Sequence, residues 1–249
     1  MQIIPLSEGS FTIDQSKVFV PFDTNTDALQ GRPIGSILVE IQPFVVITSK
    51  DIILIDTGLG YTGTDGSLQI HENLEKAGIK PASITKVLMS HLHKDHAGGT
   101  TFSNIDHTAR YISFPYATYY IQKREFDYAT GVGSASYIPE DILPLQEFSK
   151  VVWLDSDEGE IEGGIKYQVT GAHSKFHQVF WITENNETVF FGGDDAPQLQ
   201  QMKSKFVAKY DFDGKKCMEL RQSWLEKAKQ EGWTFLFYHD ITTPVWATR

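Results

Sequence analysis

The segment Ser90-His91-Leu92-His93-Lys94-Asp95-His96-Ala97-Gly98-Gly99 sets three imidazoles and a carboxylate within six positions, in a chain of 249 residues that holds only 8 histidines. In extended backbone, alternate side chains share a face, so His91 and His93 can converge on one ion. A turn at Asp95 and His96 would offer a carboxylate and a third imidazole to a neighbouring ion. Nitrogen and oxygen donors with no thiolate in reach suit zinc, and also iron, manganese or nickel, better than calcium or magnesium. Gly98 and Gly99 remove side chains where the backbone must turn tightly. Lys94, between the donors, reads as a solvated lysine that points outward, with attraction of an anionic substrate as the alternative.

The short apolar strand Val87-Leu88-Met89 delivers this cluster. Other strand signals come in two sets. Gly35–Ile41, Phe44–Thr48 and Ile52–Ile55 read as a meander; Val151–Leu154, Ile165–Thr170, Gln178–Ile182, Val189–Phe191 and Thr234–Tyr238 make a second sheet, with turns at Gly163-Gly164 and Asn185-Asn186. Helical stripes lie between them: Ile70, Leu74 and Ala77 stop at Gly78, and Cys217, Leu220, Trp224 and Ala228 stop at Gly232. Arg124–Ala129 reads as a short helix. Two sheets with helices interspersed predict a layered α/β (α+β) sandwich.

At roughly 150 residues per domain the length admits one domain or two, and with no repeat or Pro/Gly/Ser-rich linker the expectation is one domain over 1–249. Cys217 is the only cysteine, which rules out an internal disulfide and every Cys-rich zinc site; its helical stripe marks it as a core residue. The 22 Lys and Arg against 32 Asp and Glu give a net charge of −10, the wrong sign for phosphate backbones, so no nucleic-acid partner is expected. Runs free of charge, such as Tyr111–Gln122, fall short of the roughly 18 apolar residues of a membrane span. Met1-Gln2-Ile3-Ile4-Pro5 lacks a basic start followed by a long apolar stretch, so the expected location is the cytoplasm.

His91-x-His93-x-Asp95-His96 followed by Gly98-Gly99 resembles the metallo-β-lactamase superfamily, whose fold is a four-layer αββα sandwich with metals at one edge of its two sheets. Ile53-Leu54-Ile55-Asp56-Thr57-Gly58 resembles the family's strand ending in Asp-Thr-Gly. Thr170-Gly171-Ala172-His173 through His177-Gln178 resembles its next histidine segment, with Gly-Ala before His173 where the family has Pro-Gly. Val189–Asp194 is similar to the strand ending in the bridging carboxylate, and Phe237-Tyr238-His239-Asp240 to the final histidine. The resemblance implies two divalent ions, zinc first, one held by His91, His93 and His173 and the other by Asp95, His96 and His239, with Asp194 bridging. It further implies a water or hydroxide whose pKa falls towards about 7, Asp95 as the catalytic group that orients or deprotonates it, and Asp56 bonded behind a ligand imidazole. Asp194 and Asp195 are adjacent; counting from Val189–Phe191 favours Asp194 as the bridge, leaving Asp195 to support the site or face substrate. His177 matches a histidine that is normally structural, while His71 and His107 read as solvated.

The fold hosts many reactions. The few residues after His239 leave no room for the helical domain of glyoxalase II or a flavin module, and the Asp194–His239 stretch is too short for the insertion of the nuclease branch. What remains resembles the lactonases and organophosphate hydrolases: a hydrolase of a small ester or lactone, with a small molecule as substrate. Phosphotriesters and thioesters are alternatives within hydrolysis, and outside it an iron redox enzyme or a non-catalytic metal-binding protein. Those lactonases carry a tyrosine three residues past the bridging Asp where this chain has Pro197, so Tyr210 or Tyr238 is the candidate replacement. Tyr61, Phe114, Phe212 and Trp246 are candidates to line an apolar pocket or pack in the core. The resemblance leaves a homodimer open.

Overall fold

The computed structural model describes residues 1–103 and 109–248. One six-stranded sheet runs, in spatial order, Gln2–Pro5, Phe44–Ile47, Ile52–Ile55, Lys86–Leu88, Thr118–Gln122 and Val151–Leu154. A second follows chain order from Glu158–Ile161 through Ile165–Val169, Gln178–Glu184, Glu187–Phe191 and Trp233–Leu236 to Val245–Ala247. Their stacking follows from the two-residue period of a strand. Val46, Ile53, Ile55 and Leu88 of the first sheet pack with Ile165, Phe180, Ile182, Phe191 and Leu236 of the second. The alternate residues Val45, Leu54 and Val87 pack on the other face with Ile70 and Leu74 of the helix Gln69–Lys76 and Phe126 of the helix Lys123–Gly131. Beyond the second sheet, Val179, Phe190 and Phe235 bury against Trp224 and Ala228 of the helix Gly214–Glu231. Each such side chain stabilises by about 1.5 to 3 kcal/mol when fully buried. Helix, sheet, sheet, helix is the expected αββα sandwich.

Both predicted helix stops hold. Gly78 and Gly232 take left-handed backbone, φ +78° and +75°, and the Gly232 N–H donates to the Ala228 carbonyl at 2.7 Å. Two strand assignments need correction. Val151–Leu154 belongs to the first sheet, parallel to Thr118–Gln122, because the helix Lys123–Gly131 carries the chain across as parallel pairing requires. Ile37–Ile41 does not continue the meander; it pairs with Gly9–Ile13 in a separate three-stranded sheet completed by Val20–Pro21. Thr118–Gln122 stood in neither predicted set of strands. Among the described residues, no helix is long and apolar enough to cross a membrane.

Within each sheet a parallel pair sets up the site. Ile52–Ile55 runs parallel to Lys86–Leu88, and Glu187–Phe191 to Trp233–Leu236, so each pair releases its following loops at one edge.

Candidate metal centre

Every predicted donor sits just past a strand end, and the structure brings all seven together in two groups. His91, His93, His173 and Asp194 form one; Asp95, His96 and His239 form the other, and within each the donor atoms lie within 4.8 Å of one another. His91 Nε2 is 3.0 Å and His173 Nε2 3.2 Å from His93 Nδ1. Asp194 stands between the groups: Oδ2 lies 3.2 Å from His173 Nε2, while Oδ1 lies 3.1 Å from His96 Nε2 and 3.0 Å from His239 Nε2. Asp95 Oδ2 is 3.6 Å from His239 Nε2 and 3.8 Å from His96 Nε2. The expected turn at Asp95 and His96 is a short helix, Lys94–Ala97.

The imidazoles are aimed from behind. Asp56 accepts from the Ser90 N–H (2.7 Å) and Ser90 hydroxyl (2.7 Å), and its Oδ2 lies 2.8 Å from His96 Nδ1. His239 Nδ1 is 2.7 Å from the Glu40 carbonyl, and His173 Nδ1 is 2.8 Å from Asp211 Oδ1. Each such bond fixes the tautomer so that the other ring nitrogen presents a lone pair. Asp195 faces away from the groups: it accepts from the His173 N–H at 2.7 Å and lies 3.0 Å from His177 Nδ1. His177 Nε2 in turn accepts from the Asp194 N–H at 3.1 Å, so His177 and Asp195 pair with each other behind the donor groups while the Asp194 carboxylate faces them.

Gly98 and Gly99 matter for a different reason from tight turning. Gly98 has ordinary helical backbone, φ −59°. A Cβ on Gly98 would come within 2.3 Å of the Leu59 carbonyl oxygen, and one on Gly99 within 2.1 Å of that of Thr57, so the Asp-Thr-Gly loop packs directly on this backbone. The Thr57 N–H donates to the His96 carbonyl at 2.7 Å.

Burial opposes the imidazolium forms of His96, His173 and His239, yet the Asp194 carboxylate together with Asp95 and Asp56 at His96, Asp211 and Asp195 at His173, and Asp95 at His239 outweighs it and holds all three above the usual histidine range. Burial also opposes the Asp194 anion, but His239, His96 and His173 hold its carboxyl well below the usual range. Burial and neighbouring imidazoles push His91 and His93 well down. A divalent cation would fit this arrangement: His96 Nε2 and Asp194 Oδ1 are buried, have no hydrogen-bond partner and point at the same space, which a shared cation satisfies with two lone pairs. Nitrogen and carboxylate donors suit zinc and its transition-metal neighbours.

The profile of the Metallo-beta-lactamase superfamily matches residues 39–239. The chain belongs to the metallo-β-lactamase superfamily. Over 218 residues it is 25% identical to the N-acyl homoserine lactonase AiiA of Bacillus thuringiensis subsp. kurstaki, with 80% of each chain covered. Its fold is similar to that of a probable metal-dependent hydrolase from Staphylococcus aureus, with a TM-score of 0.79, 22% identity, and coverage of 99% of this chain and 91% of that one. It is also similar to that of AidC, a dizinc quorum-quenching lactonase in complex with the product N-hexanoyl-L-homoserine, with a TM-score of 0.71, 19% identity, and coverage of 98% and 88%.

In this superfamily member the donors open onto a cavity of about 940 Å³, ample for a small molecule. Tyr210 lines it, with its ring 6.4 Å from that of His173. Burial, Asp211 and Asp194 push the Tyr210 hydroxyl up to about 12. Tyr238 is committed elsewhere, its ring stacked on His96 and its hydroxyl donating to the Asp95 carbonyl at 2.6 Å. Of the aromatic candidates only Phe212 lines the cavity; Phe114 is in the core, Tyr61 packs on Phe11 and Trp246 on Phe235. Two expectations change. Lys94 lines the cavity, with Nζ 5.9 Å from the centre of the Phe19 ring. His71 is half-buried, its Nε2 2.9 Å from the Ser113 carbonyl, because the helix Gln69–Lys76 packs that face on Phe102 and Phe114. His107 lies outside the described residues. Cys217 is buried as expected, 3.4 Å from Asp195 Oδ1.

Sequence reasoning missed Asp211 and Glu125. Glu125 is buried and accepts from the Leu92 N–H (3.2 Å), the Tyr137 hydroxyl (3.2 Å) and the Ser174 hydroxyl (3.3 Å). It thereby ties the loop of His91 and His93 to that of His173. No spacing marks either acid, since each meets its partners only across the fold.

Proposed function

We propose that this superfamily hydrolase cleaves a small ester, and within esters a lactone, with one divalent ion held by His91, His93 and His173 and a second by Asp95, His96 and His239. Zinc is the first candidate, and iron, manganese and nickel suit the same donors. The observation that carries the reading is Asp194, whose two oxygens face separate donor groups at 3.0 to 3.2 Å, the disposition a bridging carboxylate needs. The donors of each group come from both sheets, which supports the whole chain acting as one domain. Similarity to AiiA and AidC, both lactonases, favours a lactone among esters.

When bound, two such ions supply Lewis acidity and acidify water at neutral pH. The chain's own residues do the rest. Asp95, at the cavity wall, accepts the proton as water adds to the carbonyl carbon, and returns it to the alkoxide as the ring C–O bond breaks, leaving a hydroxy acid. Tyr210 remains protonated at neutral pH and donates from its hydroxyl to the carbonyl oxygen. Glu125 and Asp56 hold the donor loops still.

The test pairs elemental analysis with a panel of lactones, aryl esters, thioesters and phosphotriesters. Two ions per chain with lactone or ester turnover is expected, and a metal-replete protein inert towards the whole panel would sink the reading. Tyr210→Phe should lower kcat on the preferred substrate by about tenfold to a hundredfold with metal content unchanged; an unaltered kcat would remove Tyr210 from the mechanism.

A further inference from the structure

The cavity carries charge of the opposite sign to the chain. Against a net charge of −10, five cations line it: Lys17, Arg32, Lys94, Lys175 and Lys209. Apart from Asp95, Asp194 and Asp211, its one acidic lining residue is Asp14, and that carboxylate accepts from the N–H (2.8 Å) and hydroxyl (2.6 Å) of Ser16. Outside the cavity several cations are paired, among them Lys86 with Asp51, Arg110 with Asp141 and Arg124 with Asp157. Among the described residues, none of the five cavity cations has a carboxylate within ion-pair distance, although Lys17, Arg32 and Lys94 are half-buried. Lys17 lines the same cavity as His93, and Lys94 is the residue between His93 and Asp95 in the donor motif. Half-buried like charges beside a cation-binding centre are unfavourable unless an anion joins them.

We propose that the substrate carries, away from its scissile ester, a second and anionic group, a carboxylate or a phosphate-type oxyanion, and that Lys17, Arg32 and Lys94 receive it. This rests on the hydrolase reading above and names the class of ester that the site takes. Lys175 and Lys209, exposed at the rim, raise the local concentration of such an anion against the repulsion of an acidic protein.

The test uses p-nitrophenyl esters of matched length on the metal-replete protein: the monoester of adipate, the neutral hexanoate, and a phosphonate-ended analogue. The anionic esters should exceed the hexanoate in kcat/KM by about tenfold to a hundredfold, the range for charge-assisted hydrogen bonds, and the ratio should shrink in high salt. Lys17→Met, Arg32→Met and Lys94→Met combined should abolish the ratio, while Lys80→Met, exposed and outside the cavity, should preserve it. The ratio is internal to each protein and so is not affected by partial misfolding. The carboxylate and phosphonate arms decide which oxyanion fits. A hexanoate cleaved as well as the anionic esters would overturn the proposal, as would a triple variant that keeps the preference, because the anion would then be held away from these three side chains. If no ester is cleaved, the hydrolase reading fails separately. Calorimetry with N-butyl adipamate against N-butylhexanamide then decides the anion: tighter binding of the adipamate that the triple variant loses supports the proposal, and equal binding overturns it.

Discussion

Asp56 takes left-handed backbone, φ +55°, which costs a non-glycine residue about 1 kcal/mol or more. Its carboxylate returns that cost by engaging Ser90 twice and His96 once. Asp211 does the same work for His173 without a strained backbone. Asp211→Asn keeps an acceptor but removes the charge, so affinity for the first ion should fall about tenfold or more, read by chelator competition. Glu8 presents a different case. Burial pushes its carboxyl up to about 8, against the bond from the Leu59 N–H at 2.7 Å. A carboxyl raised in the fold stabilises fully below its unfolded value near 4.5 and loses that contribution as pH rises through about 8. Glu8→Gln should therefore flatten the decline in stability between those values, with a gain of about 1 kcal/mol or more at the upper end, seen as urea midpoints compared with the parent across pH. The donors themselves were legible in the sequence, because His91 to His96 lie within one turn and strand end. Asp211, Glu125 and Glu8 were not, since an acid that finds its partner 38, 33 or 51 positions away leaves no local mark.

Among the elements, the short helix Lys94–Ala97 and the Asp-Thr-Gly loop act as a pair, locked where Gly98 and Gly99 let two backbones touch. Gly98→Ala, at ordinary helical φ, leaves the local conformation permitted and tests only that contact. Its Cβ would fall 2.3 Å from the Leu59 carbonyl oxygen, and the expected cost is about 2 to 4 kcal/mol by urea unfolding, with metal content reduced as the loops part. The strands that carry donors were readable because each runs apolar into a polar turn. Val151–Leu154 was read as part of the wrong sheet because its apolar, β-branched pattern suits either sheet, and only the crossover helix assigns it. Thr118–Gln122 sets two adjacent tyrosines and an isoleucine between polar ends, with no turn signal before the following helix, and so it joined neither set.

At the scale of the whole molecule, the proposed ligands pin the edge where two sheets meet, and metal should act as a clamp between them. Removing it with a chelator should lower Tm, by the equivalent of about 2.7 kcal/mol for each ion present at a hundredfold over its Kd; a Tm indifferent to chelation would place the ions outside the folded structure's balance. The inner layer was legible from alternation alone, Val45 and Val46 facing opposite clusters. The location of His239 after the strand Trp233–Leu236 has a consequence in time. With the proposed ligands, a chain emerging from the ribosome presents His91, His93, Asp95 and His96 while the partner group is still unmade, and would hold an ion only loosely and exchangeably. Tight capture would wait for Trp233–Leu236 to pair beside Glu187–Phe191, which would make metal loading a late event of biogenesis and a check that both sheets have closed.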